Sequence, residues 1–249
     1  MSTALRKHRA LMERDEMLLE TSLVLLEEMG FASLTLEKIA ARTDFSKGTI
    51  YNHFTSKEDL LTALCVQGLQ AQLEMYRKVF DFQGNTRERV LGMHFAYNLY
   101  ARRHPLLFMC VLSGLAPHVI EKTSERRMAE RRTCETLLTE LLDRVVQDGV
   151  TAGDLILPEG QTVADVSFAN WAVGFGTTAL LQTAQRAHSI ARLDHGRALQ
   201  RHVSLLMDGM HWRPLSSDWD YGETWERLND FFGVDKEEAL EMPAVEVTV

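Results

Sequence analysis

Residues 35–54, TLEKIAARTDFSKGTIYNHF, contain the group of polar side chains that is most informative about function. Two short helices are predicted there, joined by a three-residue turn at 43–45, which is the spacing of a helix-turn-helix. Ile39 on the first helix and Ile50 and Phe54 on the second would form the small core between them. The outer face of the second helix is left with Ser46, Lys47, Thr49, Tyr51, Asn52 and His53. A helix with hydroxyl, amide, cationic and phenolic groups on one face and apolar anchors on the other is suited to the major groove of DNA.

Signs of catalysis or metal binding are missing from the rest of the sequence. It contains no G-x-S-x-G, H-E-x-x-H, G-x-x-x-x-G-K-[ST] or G-x-G-x-x-G motif, which disfavours a helical enzyme. No C-x-x-C pair occurs among the three cysteines, Cys65, Cys110 and Cys134, so a reducing cytoplasm is expected. Four histidines also lack metal-ligand spacing: His94, His104, His118 and His188. We therefore expect neither a metal nor a cofactor.

Apolar residues at spacings of three and four, with few prolines and glycines, predict an all-α fold. Thr35 and Ser46 would cap the two short helices, and Ser56 with Asp59 resembles a capping arrangement for a longer one. The predicted helices are 9–29, 36–42, 46–52, 57–80, 87–103, 106–112, 124–148, 162–187 and 194–212. The run 166–186 is broken by polar residues and is interpreted as a buried helix rather than a membrane span.

The net charge of the whole chain differs in sign from that of the predicted DNA-binding segment. With 249 residues, 45% hydrophobic and 25% charged, the composition is that of a soluble globular protein. The formal charge of −8 argues against binding nucleic acid by bulk charge. Residues 215–249 hold 10 acidic and 2 basic side chains, so the whole deficit lies there. Residues 31–57 instead carry four basic and two acidic side chains, a local +2 where DNA would lie.

The N-terminal part closely resembles the tetracycline-repressor (TetR) family of bacterial transcription regulators. The resemblance covers about residues 10–65, and the end of the last long helix, 206–215, adds a weaker hint. It is carried by Met29-Gly30-Phe31, Thr35, Ile39-Ala40, SKGTIYNHF at 46–54 and SKEDLL at 56–61. It implies an N-terminal three-helix helix-turn-helix domain, residues 1–60, and a C-terminal helical bundle for ligand binding and dimerisation, residues 61–214. Residues 215–249 would form an acidic, partly helical extension.

By this resemblance the protein is a homodimeric repressor whose two recognition helices enter successive major grooves of a near-palindromic operator, about 34–36 Å apart. A small apolar effector in the C-terminal domain would release it. Thr35 and Lys57 would touch phosphates, and Tyr51 and His53 would hold the DNA backbone. The residues nearest to base edges would be Ser46, Lys47, Gly48 and Thr49, with Asn52 contributing from the far side. The helix 57–80 would couple the two domains.

Two faces are expected in the C-terminal half. Residues 162–187 and 194–212 would form the dimer interface. A ligand pocket would be lined by Met93, Tyr97, Phe108, Met109, Cys110, Leu112, Phe168, Trp171 and Phe175, for each of which an ordinary core position is the alternative. A ligand-independent or partner-controlled regulator is the alternative for the whole protein.

Three charged or aromatic segments each allow two interpretations of their role. The arginine pairs 126–127 and 131–132 suggest a solvated face with ion pairs, or else a site for a phosphate-bearing ligand. Arg6, Lys7 and Arg9 form a basic arm that is either a solvated leader or a DNA contact. In the tail, Trp225, Leu228 and Phe232 fall at helical spacing. A helix at 223–232 is therefore expected to dock on its own C-terminal domain or on the partner subunit, with 241–249 loose.

Overall fold

The computed structural model describes residues 3–235, which form twelve helices. They are α1 (Thr3–Ser33), α2 (Leu36–Arg42), α3 (Lys47–His53), α4 (Lys57–Val79), α5 (Thr86–Arg103), α6 (Pro105–Ser113), α7 (Pro117–Glu121), α8 (Glu125–Ala152), α9 (Val163–Thr183), α10 (His188–Ala191), α11 (His195–Gly209) and α12 (Tyr221–Phe232). Within residues 3–235 no strand occurs, and the all-α prediction is confirmed.

Two of the differences from the predicted helix bounds occur at glycines. Gly30, expected to end the first helix, has φ 73° and interrupts α1, which resumes as far as Ser33. Gly149 was expected to end the long charged helix, but α8 continues to Ala152. A Cβ at Gly149 would lie 2.4 Å from the Trp212 ring, so this glycine permits close packing inside a helix. The short helices α7 and α10 were not predicted.

The chain divides into two compact units, and the division passes within α4 and α8. The first unit comprises residues 3–70 and 104–134 of the described chain. Its core is built mainly from leucines of α1 and α4 together with the anchors of the two short helices. These include Leu18, Leu25, Leu26, Leu36, Ile39, Ile50, Phe54, Leu60 and Leu64. The anchors predicted from sequence, Ile39, Ile50 and Phe54, are fully buried.

The second unit, residues 71–103 and 135–235 of the described chain, is organised around α5. Almost every residue of this helix is buried, and α9, α11 and α12 pack against it. Arg87 near its start is 1% exposed and donates hydrogen bonds to the carbonyls of Trp212 (2.8 Å) and Pro214 (2.9 Å). It also forms an ion pair with Asp208 at 2.7 Å. One buried guanidinium thus organises the segment that follows α11.

The aromatic tail segment forms α12, which docks within the second unit. Trp225 packs edge-on against Phe95 of α5 with ring centroids 4.9 Å apart, and Leu228 is fully buried. The Arg227 guanidinium donates to the Glu88 carboxylate at 2.9 Å. Residues 241–249, expected to be loose, lie outside the described residues. Among the described helices, none is both long and apolar enough to span a membrane.

Candidate nucleic-acid interface

Side-chain caps set the start of each helix in the helix-turn-helix. The Thr35 hydroxyl accepts a hydrogen bond from the backbone N–H of Lys38 at 3.3 Å, and the Ser46 hydroxyl accepts one from Thr49 N–H at 3.1 Å. Both capping residues have extended backbone, as an N-cap requires. The local sequence therefore fixes where α3 begins, independently of the rest of the chain.

Five of the predicted DNA contacts lie together on the free surface of α3 and its cap. Ser46, Lys47, Gly48 and Asn52 are exposed, and the Tyr51 side chain is 45% exposed. Thr49 is half-buried, with its hydroxyl 2.9 Å from that of Ser46. No carboxylate of the described residues lies within ion-pair distance of Lys47. One cation, several hydroxyls and one amide are thus available on a single face.

Tyr51 is tied to the neighbouring helix. Its hydroxyl donates a hydrogen bond to the carboxylate of Glu37 on α2. This bond lowers the pKa of Glu37 and raises the pKa of Tyr51, because it stabilises the carboxylate and the neutral phenol together. Sequence reasoning missed Glu37, although its place in the first turn of α2 puts it close to α3.

His53 does not share the exposed face. It is 9% exposed, and its Nε2 lies 2.6 Å from Oδ1 of Asp15 on α1. Its ring also meets Phe54 edge-on, with centroids 4.7 Å apart. The structure therefore places this imidazole in an internal contact, whereas the sequence suggested a contact with the DNA backbone.

Lys57 is half-buried against the end of α1, and Thr35 lies in the junction between α1 and α2. The Lys57 ammonium donates to the carbonyls of Phe31 and, at 3.3 Å, Ala32, at the end of α1. Burial lowers the pKa of Lys57, and the nearby Lys38 adds to this effect. Both lysines bind carbonyls of the last turn of α1, since Lys38 reaches Ser33 O at 2.7 Å. Lys57 thus acts as a helix cap in this structure.

The predicted ligand-pocket residues fall into separate groups. Four of them line one cavity of about 10 Å³ in the second unit, together with Tyr76, His94, Leu142 and Gly174: Met93, Tyr97, Trp171 and Phe175. Phe168 is 64% exposed and lies beside Trp171, with ring centroids 5.8 Å apart. The remaining predictions belong to α6 of the first unit: Phe108, Met109, Cys110 and Leu112.

The cavity is uncharged. Burial lowers the pKa of His94 to about 4, so its imidazole is neutral near pH 7. Asn170 Nδ2 donates to Val166 O at 2.9 Å, which leaves Asn170 Oδ1 to accept from His94 Nε2 at 3.2 Å. This assignment places the ring proton on Nε2 and leaves Nδ1 as an acceptor. Among the described residues that line the space, none carries an ionised side chain.

Metal binding finds no support in the described residues, because residues 3–235 bring no three His, Cys, Asp or Glu side chains together in a suitable cluster. Two helices joined by a tight turn, with the second presenting polar groups, define the helix-turn-helix class of DNA-binding folds.

Comparison with protein families finds a match in the N-terminal segment. Residues 18–64 match the model of the bacterial regulatory proteins of the tetR family. The match lies within helices α1 to α4, so the helix-turn-helix of this chain is similar to that of the tetR family.

Curated relatives agree in the same region. The chain is 43% identical over 80 residues to the uncharacterized HTH-type transcriptional regulator YerO of Bacillus subtilis; the match covers 32% of this chain and 28% of YerO. It is 32% identical over 79 residues to the HTH-type transcriptional repressor KstR2 of Mycobacterium tuberculosis, covering 32% of this chain and 40% of KstR2. The matches thus span less than half of these relatives, both of which are named as regulators rather than enzymes.

Solved structures extend the likeness of fold to most of the chain. A tetR-family regulatory protein from Rhodococcus RHA1 has a TM-score of 0.57 and 19% identity, covering 79% of this chain and 96% of that one. The ketosteroid transcriptional regulator KstR2 of Mycobacterium tuberculosis has a TM-score of 0.54 and 20% identity, covering 79% and 94%. At these identities the likeness concerns the fold.

Proposed function

We propose that this protein is a sequence-specific DNA-binding transcriptional regulator, a homodimeric repressor that a small uncharged molecule releases from its operator in the bacterial cytoplasm. The observation that carries the proposal is the two-sided character of α3. Ile50 is fully buried against the core, while Lys47, Tyr51 and Asn52 are directed outward. A helix anchored in this way can enter a major groove without exposing its apolar side.

Direct contacts to DNA are assigned to the exposed face. Lys47 would meet a phosphate or a guanine edge, and the Tyr51 hydroxyl would bind a phosphate. The remaining contacts of this face would come from Ser46, Gly48, Thr49 and Asn52, with Thr35 at the backbone of the duplex. Because of their inward contacts, His53 and Lys57 are assigned to holding α3 and α1 in place.

A second copy of the chain would supply the second recognition helix. The α9 surface of the second unit leaves large apolar side chains in solvent: Phe168 is 64% exposed, Leu180 50% and Trp171 36%. Such a surface is expected to be covered in a stable assembly. Two-fold symmetry of the dimer would then require a near-palindromic operator with half-sites one helical turn apart.

Binding to DNA is tested by selecting fragments from the source genome with the purified protein and measuring affinity for the best fragment across a salt series. Lys47→Ala should weaken binding, and it should also reduce the salt slope by about one if Lys47 meets a phosphate, because one phosphate-neutralising cation is then lost. Lys78→Ala, an exposed lysine in the last turn of α4, is the matched control and should bind as wild type. Failure of the wild-type protein to enrich any fragment would overturn the proposal.

The effector is expected to be uncharged, since the described residues that line the cavity, Met93, Tyr97, Trp171 and Phe175 among them, include no ionised group. A ketosteroid is a suitable first probe because KstR2, a structural relative, is described as a ketosteroid regulator. A free fatty acid serves as the anionic comparison. A ligand at 100 times its Kd should stabilise the fold by about 2.7 kcal/mol in thermal unfolding, and it should also release DNA.

A second candidate is a regulator that responds to no small molecule. The cavity volume of about 10 Å³ favours it, because this space holds one water rather than an effector. The two candidates differ in one measurement. If uncharged molecules neither stabilise the protein nor change its affinity for DNA, control without a ligand is the better account.

A further inference from the structure

Two arginines of the long charged helix α8 are not on a solvated face, contrary to the sequence expectation. Arg127 and Arg131 are each 4% exposed, whereas Arg126 and Arg132 lie in solvent. Residues 127 and 131 are one turn apart, so both belong to the buried face of α8. Arg131 donates to the carbonyl of Gly114 at 2.5 Å. Neither buried guanidinium is therefore available to a phosphate-bearing ligand.

Arg127 is joined to the recognition helix through one carboxylate. Its two Nη atoms donate to both oxygens of Asp15 on α1, with Nη1 3.3 Å from Oδ2. The same Asp15 Oδ1 lies 2.6 Å from Nε2 of His53, the last residue of α3. The guanidinium also lies over the ring of Phe54, 5.4 Å from its centroid. Arg127 is thus linked to His53 indirectly, through Asp15, and contacts the neighbouring Phe54 directly.

Further bonds attach the start of α8 to the residues that follow α3. Asp59 is 1% exposed, and its Oδ1 accepts from both N–H and Oγ–H of Ser124, at 2.9 and 2.6 Å. Its Oδ2 accepts from the N–H of Thr55 at 3.1 Å. The buried carboxylate of Asp59 and the half-buried carboxylate of Asp15 therefore fix the segment 53–55 against the start of α8.

We propose that Arg127 is a positioning residue, which acts through Asp15 and His53 to set the tilt of α3 needed to read DNA sequence. The inference rests on the proposed DNA-binding function and goes beyond it, because Arg127 touches no predicted DNA contact. Helix α3 has seven residues and is about 10 Å long. A shift of about 1 Å at its His53 end would therefore turn it by about 6° and misplace side chains at the groove.

Loss of position and loss of fold have different signatures. Misplacing α3 disturbs base contacts while leaving the charges that attract phosphate, so specific binding falls more than non-specific binding. Partial unfolding instead lowers the active fraction and weakens both kinds of binding equally. The ratio of the two affinities is therefore the measurement that identifies a positioning role.

The experiment compares Arg127→Met with Arg126→Met in the full chain, using the genome fragment that wild type selects and a scrambled duplex. Both variants lose one positive charge from neighbouring positions, but the Arg126 side chain is 48% exposed. We expect Arg127→Met to lower the specific to non-specific ratio at least tenfold, with Arg126→Met within twofold of wild type. Arg127→Lys should recover part of the ratio, because the charge remains but the two-point bond does not.

The experiment distinguishes failure of the positioning role from failure of DNA binding itself. A wild-type protein that selects no fragment contradicts DNA binding itself. If wild type binds and both methionine variants keep the wild-type ratio, the positioning role is wrong. Should Arg127→Met unfold, the same ratio is measured on Arg127→Lys, where an unchanged ratio would equally contradict it.

Discussion

The Tyr51 hydroxyl on α3 donates a hydrogen bond to the carboxylate of Glu37 on α2, across the outer face of the helix-turn-helix. The bond holds the phenol in one orientation beside the groove-facing side chains. A DNA phosphate could replace the carboxylate as acceptor, since both are anionic oxygens. The same hydroxyl therefore has one partner without DNA and is proposed to gain another with it.

Tyr51→Phe removes this hydroxyl and keeps the ring. A hydrogen bond to a charged group contributes about 1.5–3 kcal/mol, but the variant also loses the bond to Glu37 in the free protein, so we expect operator affinity to fall by no more than about tenfold. The free energy of unfolding should change by less than about 0.5 kcal/mol, since the residue is exposed. Fluorescence anisotropy and urea titration measure the two quantities. Unchanged affinity would remove Tyr51 from the interface.

Gly48→Ala separates stability from DNA contact. A Cβ at Gly48 would meet only the Ser46 hydroxyl, at 3.8 Å, so the fold has room for it. Because glycine inside a helix costs about 1 kcal/mol relative to alanine, the variant should unfold at higher urea. If the backbone approaches DNA closely here, affinity should nevertheless fall. A variant that is both more stable and equally tight in binding would show that Gly48 faces open space.

The acid stability of the protein should depend on Asp15. Burial by itself would raise the pKa of this carboxyl, but hydrogen bonds from His53 and Arg127 lower it to about 2. The ionised carboxylate therefore stabilises the folded state above about pH 4, and this contribution is lost as the pH falls towards 2. Wild type should lose about 1–2 kcal/mol more than Asp15→Asn between pH 5 and pH 2, allowing for screening by solvent. If the free energies of unfolding of wild type and Asp15→Asn fall in parallel between pH 5 and pH 2, Asp15 does not make this contribution.

Leu228 tests the docking of α12. It is fully buried within the second unit, so Leu228→Ala should lower the free energy of unfolding by about 2–5 kcal/mol. Leu115→Ala, at a leucine that is 44% exposed, is the control and should cost well under 1 kcal/mol. Equal effects in the two variants would show that α12 contributes little to the fold.

Local signals were enough to predict the helix-turn-helix. Thr35 and Ser46 cap the helices they were expected to cap, and the alternation of Ile50 with polar neighbours indicated which face of α3 is free. These features depend on residues within one or two turns. Sequence spacing is therefore sufficient to read them.

Contacts between distant residues were not predictable in this way. His53 and Arg127 are polar residues at positions where the sequence predicts solvent exposure. Both instead bind Asp15, which is 38 residues from His53 and 112 from Arg127. Gly149 suggests a helix end because glycine often follows a helix. Its close packing against Trp212 gives no local signal in the sequence, since that residue lies far along the chain. From a single sequence, contacts between residues so far apart in the chain cannot be inferred.

The buried guanidinium of Arg87 has a consequence for synthesis. Its carbonyl acceptors lie up to 127 residues later in the chain, at Ser204, Trp212 and Pro214. At a translation rate of about 5–20 residues per second, the ribosome delivers them roughly 6–25 s after the arginine. Until then α5 carries a cation with no matching acceptors and cannot close its core. A chain that ends before residue 204 lacks all three of these acceptors, so the Arg87 end of its α5 would stay open to solvent and to cellular proteases.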